Sequence, residues 1–118
     1  EAVIAALTRY LAEAGIEVIA SVSRSRSLDQ NKYSSAADDH LLALELGGEA
    51  LREAPAAQAL LMPGGLWHAI HAVPLLEAEH GRPVLLNILS TTWAALHAAG
   101  SRMLRRPDPR WGMVVRSL

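Results

Sequence analysis

Ala59-Leu60-Leu61-Met62-Pro63-Gly64-Gly65-Leu66-Trp67-His68 reads as a short buried strand, a tight glycine turn and the start of a helix. In an open parallel sheet, ligands bind just past the carboxyl ends of the strands. Glycines at such a turn let backbone N–H groups approach a bound group closely. A following helix start adds unpaired N–H donors and a partial positive charge. Together these suit an anion such as a carboxylate or an enediolate oxygen. A glycine pair here also serves packing alone, so the function must be argued from the rest of the site.

On the N-terminal side, Glu1 to Ala14 has helical spacing, with Val3, Ile4, Leu7, Tyr10, Leu11 and Ala14 on one face and Gly15 as the stop. Ile16 to Val22, rich in β-branched residues, predicts a strand. Ser23 to Ser35 is polar and without a clear period, and reads as a loop. Within it Asn31 is the residue of interest, because a side-chain amide can donate to a carboxylate. Ser35-Ala36-Ala37-Asp38 resembles a capping box and opens a helix to about Arg52, with Leu41, Leu42, Leu44, Ala50 and Leu51 expected on the buried side. Gly47-Gly48 weakens that helix by about 1 kcal/mol per glycine, which predicts a kink or a close helix–sheet contact.

On the C-terminal side, Leu66 to His80 reads as a helix with Trp67, Ile70, Leu75 and Leu76 turned inward, kinked or split by Pro74. His68 and His71 share a helical face, but no Glu or Cys completes a known metal spacing, and no metal is expected. After the Gly81-Arg82-Pro83 turn, Val84 to Leu89 is the apolar run of a strand buried on both faces. Ser90-Thr91-Thr92 is expected to cap a helix through Ala99, ended by Gly100. Ser101 to Arg110 is basic, and Trp111 to Val115 is a candidate last short strand.

Alternation of helix and strand at this spacing predicts an α/β fold: a three-layer αβα arrangement around a parallel sheet, in one domain spanning residues 1–118. The chain is 51% hydrophobic with a mean hydropathy of +0.16, enough for a real core. A net charge of −1 and no dominant basic run argue against nucleic acid as a partner. With no cysteine, the chain has no disulfide, thiolate metal site or thiol nucleophile of its own. No apolar run is long enough to span a bilayer, and no signal peptide is visible, so a cytoplasmic protein without membrane contact or cofactor is expected.

The segment from Tyr10 to Gly112 resembles the C-terminal half of the aspartate/glutamate racemase superfamily, in the branch containing arylmalonate decarboxylase and maleate cis-trans isomerase. The likeness is carried by Tyr10-Leu11-Ala12-Glu13-Ala14-Gly15-Ile16-Glu17-Val18, Leu61-Met62-Pro63-Gly64-Gly65-Leu66, Val73-Pro74-Leu75-Leu76-Glu77, Gly81-Arg82-Pro83-Val84, Trp93-Ala94-Ala95-Leu96 and Arg110-Trp111-Gly112. The resemblance implies a flavodoxin-like half-domain, with the active site between two similar halves. It also implies that the strand opening this half is lacking, so that a missing N-terminal half or another chain covers the sheet edge.

The chain departs from the family at the second-half cysteine, where Pro63 stands, and at Asn87-Ile88-Leu89, where the family's stretch is polar. Proline has neither a proton to give nor an N–H to donate. Gly64 and Gly65 match the family's glycine turn, and Asn31 lies near the position of a substrate-binding asparagine in the isomerase. The implied function is part of a decarboxylase- or isomerase-like enzyme acting on a small carboxylate, malonate- or maleate-like, through an enolate-type intermediate. The amides of Gly64, Gly65 and Leu66 would hold the charge and Asn31 would orient a carboxylate. The proton would come from the other half or from His68. The alternative is a catalytically inactive domain of the same fold that binds a ligand or partner.

Overall fold

The computed structural model describes residues 2–64, 67–106 and 108–117. At its centre two short strands, Leu60–Met62 (β1) and Val84–Leu86 (β2), run parallel, with Leu60 opposite Val84, Leu61 opposite Leu85 and Met62 opposite Leu86. The ladder is entered through the Leu60 N–H, which donates to the Pro83 carbonyl at 2.9 Å. It stops after Met62 because the next residue, Pro63, has no N–H to contribute. The helices are α1 (Ala2–Glu13), α2 (Leu28–Tyr33), α3 (Ala36–Glu53), α4 (Ala72–His80), α5 (Asn87–Ala98) and α6 (Met113–Ser117), with 3₁₀ turns at Arg102–Arg105 and Pro109–Trp111, and α3 to α6 pack against the strands. The molecule is thus a mostly helical α/β structure with a small parallel sheet. No helix among the described residues is long and apolar enough to cross a membrane.

The core lies between the sheet, α3 and α4. Met62, Val84 and Leu86 meet Ala43 of α3, Ala69, and Ala72, Val73 and Leu76 of α4. Burying a Leu or Val side chain of this kind contributes about 1.5–3 kcal/mol. α3 approaches most closely at Ala43 and Gly47. Asp39, Ala43, Gly47 and Leu51, spaced by four, are all buried. A Cβ built on Gly47 would stand 2.6 Å from Leu76 Cδ1 and 3.1 Å from Leu60 Cδ2, so the close contact expected at the glycine pair is real at Gly47. Leu41, expected on the buried side, is exposed instead, because it falls off the Asp39–Ala43–Gly47–Leu51 stripe, whereas Leu51 is buried as expected and Leu44 packs against the core.

Arg82 ties the far end of α3 to the turn before β2. Its guanidinium donates to the carbonyls of Leu51 at 2.6 Å and Ala54 at 2.7 Å, with Ala57 at 3.4 Å. Leu51 lies in the last turn of α3, where carbonyls lack an intrahelical partner, and a cation there also suits the helix dipole. Gly81, with φ of 64°, closes α4 just before.

Several expected elements take other forms. Ile16 to Val22 forms no strand, and Ile16 and Ile19 are about half exposed, because no neighbouring strand among the described residues offers its backbone a ladder. The polar loop from Ser23 to Ser35 contains α2, opened by a capping box in which Ser27 Oγ accepts from the Gln30 amide and the Gln30 side chain accepts from the Ser27 amide. The helix expected from Leu66 begins at Ala72, which places Pro74 in its first turn, where a missing N–H costs nothing. Leu75 points outward there. Val84 to Leu89 divides after Leu86, and Asn87 already opens α5. Ser90 therefore sits inside that helix, its hydroxyl donating to the Leu86 carbonyl at 3.2 Å, and does not cap it. Trp111 to Val115 is not a strand but the end of a 3₁₀ turn, Gly112 and the start of α6.

That last segment is fastened by Glu77. Its buried carboxylate accepts from the Val84 amide at 2.9 Å and the Met113 amide at 2.8 Å, linking α4, β2 and α6. Gly112 passes between them with φ of 88°, and a Cβ on it would lie 3.0 Å from the Val84 carbonyl oxygen and 3.1 Å from Glu77 Oε1.

Candidate functional site

The chain leaves both strands at the same end of the sheet, and a cleft of about 740 Å³ opens there. One wall is built after β1 by Trp67, His68 and Ile70, the floor by Leu86 at the end of β2, and another wall by Ile88 and Leu89 at the start of α5. α2 supplies the opposite wall, with Leu28, Asn31 and Lys32. Two residues singled out in the sequence, Asn31 and His68, thus line one cleft although they are far apart in the chain. This is where an open parallel sheet binds ligands.

Pro63 and Gly64 follow β1 directly and are exposed. Gly64 has φ of 114°, a backbone form that a side chain would strain, and the Trp67 indole lies 3.6 Å from where its Cβ would be. Gly65 and Leu66, named as anion-holding amides, lie outside the described residues. Asn87, Ile88 and Leu89 form the first turn of α5, and Ile88 and Leu89 line the cleft.

The residue that organises the cleft was not among the sequence candidates. Asp39, in the first turns of α3, is completely buried. Its Oδ1 accepts from Ser34 Oγ at 2.8 Å and Arg26 at 3.2 Å, residues that bracket α2. Its Oδ2 accepts from the His68 backbone N–H at 2.9 Å and faces His68 Nδ1 at 3.1 Å. Burial by itself drives such a carboxyl upward. The His68 amide, the Ser34 hydroxyl, the Arg26 guanidinium and the His68 ring outweigh it and hold Asp39 at about 2, below the usual 3.8. One carboxylate therefore fixes both walls, α2 on one oxygen and the segment after β1 on the other. The sequence signal was present, since Asp39 begins the four-spaced stripe that continues in Ala43, Gly47 and Leu51.

Farther along the chain, Arg102, Arg105, Arg106, Arg110 and Trp111 line a second hollow of about 690 Å³. Its one carboxylate, Asp108, is gripped by Arg110, whose hydrogen bonds hold it well below the usual carboxylate range. His71 stands apart from the cleft lining, and among the described residues no group of three or more His, Cys, Asp or Glu is placed to hold a metal.

With this geometry in view, the comparisons with known proteins are specific. No curated protein sequence matches the chain. The crystal structure of arylmalonate decarboxylase superposes with a TM-score of 0.76 at 21% identity, over 95% of this chain and 47% of that one. The chain thus spans about half the length of that protein, and the likeness establishes the fold. The arylmalonate decarboxylase family profile matches residues 1–108, nearly the whole chain. By that match, the chain is a member of the arylmalonate decarboxylase family.

Proposed function

We propose that this chain supplies the carboxylate-binding wall of a decarboxylase- or isomerase-like site acting on a small malonate- or maleate-like carboxylate. The observation that carries this is the cleft past the ends of β1 and β2, which Asn31 and His68 both line. Asn31 orients a substrate carboxylate through its amide. The backbone N–H groups of Gly64, Gly65 and Leu66 hold the enolate oxygen as charge develops, the type of stabilisation that contributes most to such reactions. Pro63, at the position of the family cysteine, takes no part in proton transfer, so the proton comes from His68 or from outside residues 1–118.

The finer architecture belongs to the same proposal: a flavodoxin-like half of a three-layer αβα fold in a cytoplasmic protein, with its first strand lying outside residues 1–118. Two features support it. The β-branched run Ile16 to Val22 finds no ladder, and α1 buries none of its residues, so its apolar side is left for a partner. The missing half, or another chain, would cover both. A catalytically inactive binding domain is the second reading, favoured by Pro63.

Titration with phenylmalonate, malonate and maleate, followed by amide NMR, tests the proposal. The Gly64, Gly65 and Leu66 amides and the Asn31 side-chain amide shift first. Silence at all four, with a response elsewhere, removes the reading.

A further inference from the structure

We infer that His68 is the proton carrier of this site, acting through Nε2, and that Asp39 is its positioning residue. This rests on the carboxylate-chemistry reading above and adds the atom that moves the proton. Three observations meet here. Asp39 is fully buried and ionised, and it takes both the main-chain N–H and the Nδ1 side of the same histidine on one oxygen. An ionised carboxylate accepts but does not donate, so the 3.1 Å contact is a hydrogen bond only when Nδ1 carries the hydrogen. The His68 side chain is nevertheless 69% exposed, and His68 lines the cleft.

With Nδ1 held toward buried Asp39, Nε2 is the nitrogen left to meet a ligand. The backbone bond adds what a lone His–Asp contact lacks. It fixes the His68 main chain as well as the ring, so the ring's pivot is anchored to the same carboxylate. The other oxygen of Asp39 is held by Arg26 and Ser34 at the two ends of α2, the helix that carries Asn31. The substrate-orienting amide and the proton carrier are therefore placed against one buried reference point.

The step balances without a cysteine. In a malonate-type substrate the C–C bond to one carboxylate breaks, carbon dioxide leaves, and the electron pair remains as an enediolate held by the glycine turn. The protonated imidazole gives its Nε2 proton to the α-carbon and becomes the neutral ring with hydrogen on Nδ1, still bonded to Asp39. Solvent water then restores the Nε2 proton. The net consumption is one proton per carbon dioxide released.

The test uses the full-length protein, with ring-nitrogen NMR and phenylmalonate turnover. Long-range ¹⁵N correlation of the neutral His68 ring is expected to show hydrogen on Nδ1 in the wild type and a shift toward Nε2 in Asp39→Asn. Hydrogen on Nε2 in the wild type overturns the inference. In turnover, His68→Asn is expected to lower kcat at least about 100-fold with little change in KM, and Asp39→Asn about tenfold or more, again in kcat. Should Asp39→Asn fail to fold, the wild-type ring spectrum and His68→Asn still decide. If His68→Asn turns over phenylmalonate like the wild type, the inference falls while the carboxylate reading stands. If the wild type neither binds nor turns over phenylmalonate, both fall.

Discussion

Replacing Gly112 with alanine is expected to destabilise the protein far more than the same change at a superficially similar glycine. Gly112 has φ of 88° and ψ of 164°, a region that essentially only glycine occupies, which costs an alanine about 1–3 kcal/mol. The new Cβ would also meet the Val84 carbonyl at 3.0 Å, Glu77 Oε1 at 3.1 Å and Val73 Cγ1 at 3.2 Å. None of these yields freely: the first is strand backbone, the second holds two amides, and the third is fully buried. Overpacking of this kind adds about 1–3 kcal/mol. The sum is about 4 kcal/mol, a large part of the 5–15 kcal/mol typical of a domain, so the midpoint of thermal unfolding should fall by about 15 °C. Gly100 is the control. It has φ of 62° with nothing within 4 Å of its Cβ position, so Gly100→Ala meets only the left-handed penalty, about 1–2 kcal/mol. Both substitutions restrict the unfolded chain equally, and that contribution cancels in the difference. Urea unfolding followed by tryptophan fluorescence reads both variants. A difference below about 1 kcal/mol would refute the account of the Gly112 passage.

Four further outcomes are expected. Asp39 is held at about 2 in the folded protein against 3.8 ordinarily, so its stabilisation is complete above about pH 4 and drains away as pH falls toward 2. About 2 kcal/mol rides on it, and urea midpoints measured across that window should lose their slope in Asp39→Asn. Gly47→Ala should lose about 1–2 kcal/mol despite better helix propensity, because its Cβ strikes buried Leu76. Gly48→Ala, whose Cβ meets only the movable Arg52 guanidinium, should be neutral or gain up to about 1 kcal/mol, and the order of the two midpoints is the check. Arg82→Met should cost about 2 kcal/mol by uncapping α3, seen as faster amide exchange at its last turn. Finally, residues 1–118 should show no turnover of aspartate, glutamate or maleate above a denatured control; turnover abolished by substitution at Gly64 would contradict the consequence drawn from Pro63.

The strands near residues 60–62 and 84–86 were legible because apolar runs bounded by glycine and proline say so locally, and the parallel sheet followed from the alternation with helices. Other strands were over-read for a physical reason. Ile16 to Val22 has the composition of a strand, but a strand is a relation between two segments, and no local pattern reports whether a partner is present. At α3 the eye follows leucines, whereas the face that packs tightest is made of Ala43 and Gly47. Asp39 and Glu77 escaped for the opposite reason. Each is an acidic residue in a helix, normally solvated, and only the positions of donors from distant segments make a buried carboxylate tolerable. Asn31 and His68 can be named from chemistry, but that they share a cleft follows from α2, which the capping box Ser27–Gln30 opens within an otherwise aperiodic polar run.

The junction at Glu77 also bears on the order of events during synthesis. A chain made from its N-terminus completes α4 and β2 well before Met113 exists, and domains fold as units when enough chain has emerged. Until the Met113 amide arrives, the Glu77 carboxylate has one backbone donor from Val84 and otherwise needs water. Over that interval the carboxylate is satisfied only by a water held beside it or by leaving that edge of α4 open to solvent. Glu77 therefore makes the packing of α4 on β2 depend on a backbone amide 36 residues further along the chain. The turn at Gly112 brings that amide to the carboxylate, so it couples α6 to the packing of α4 on β2.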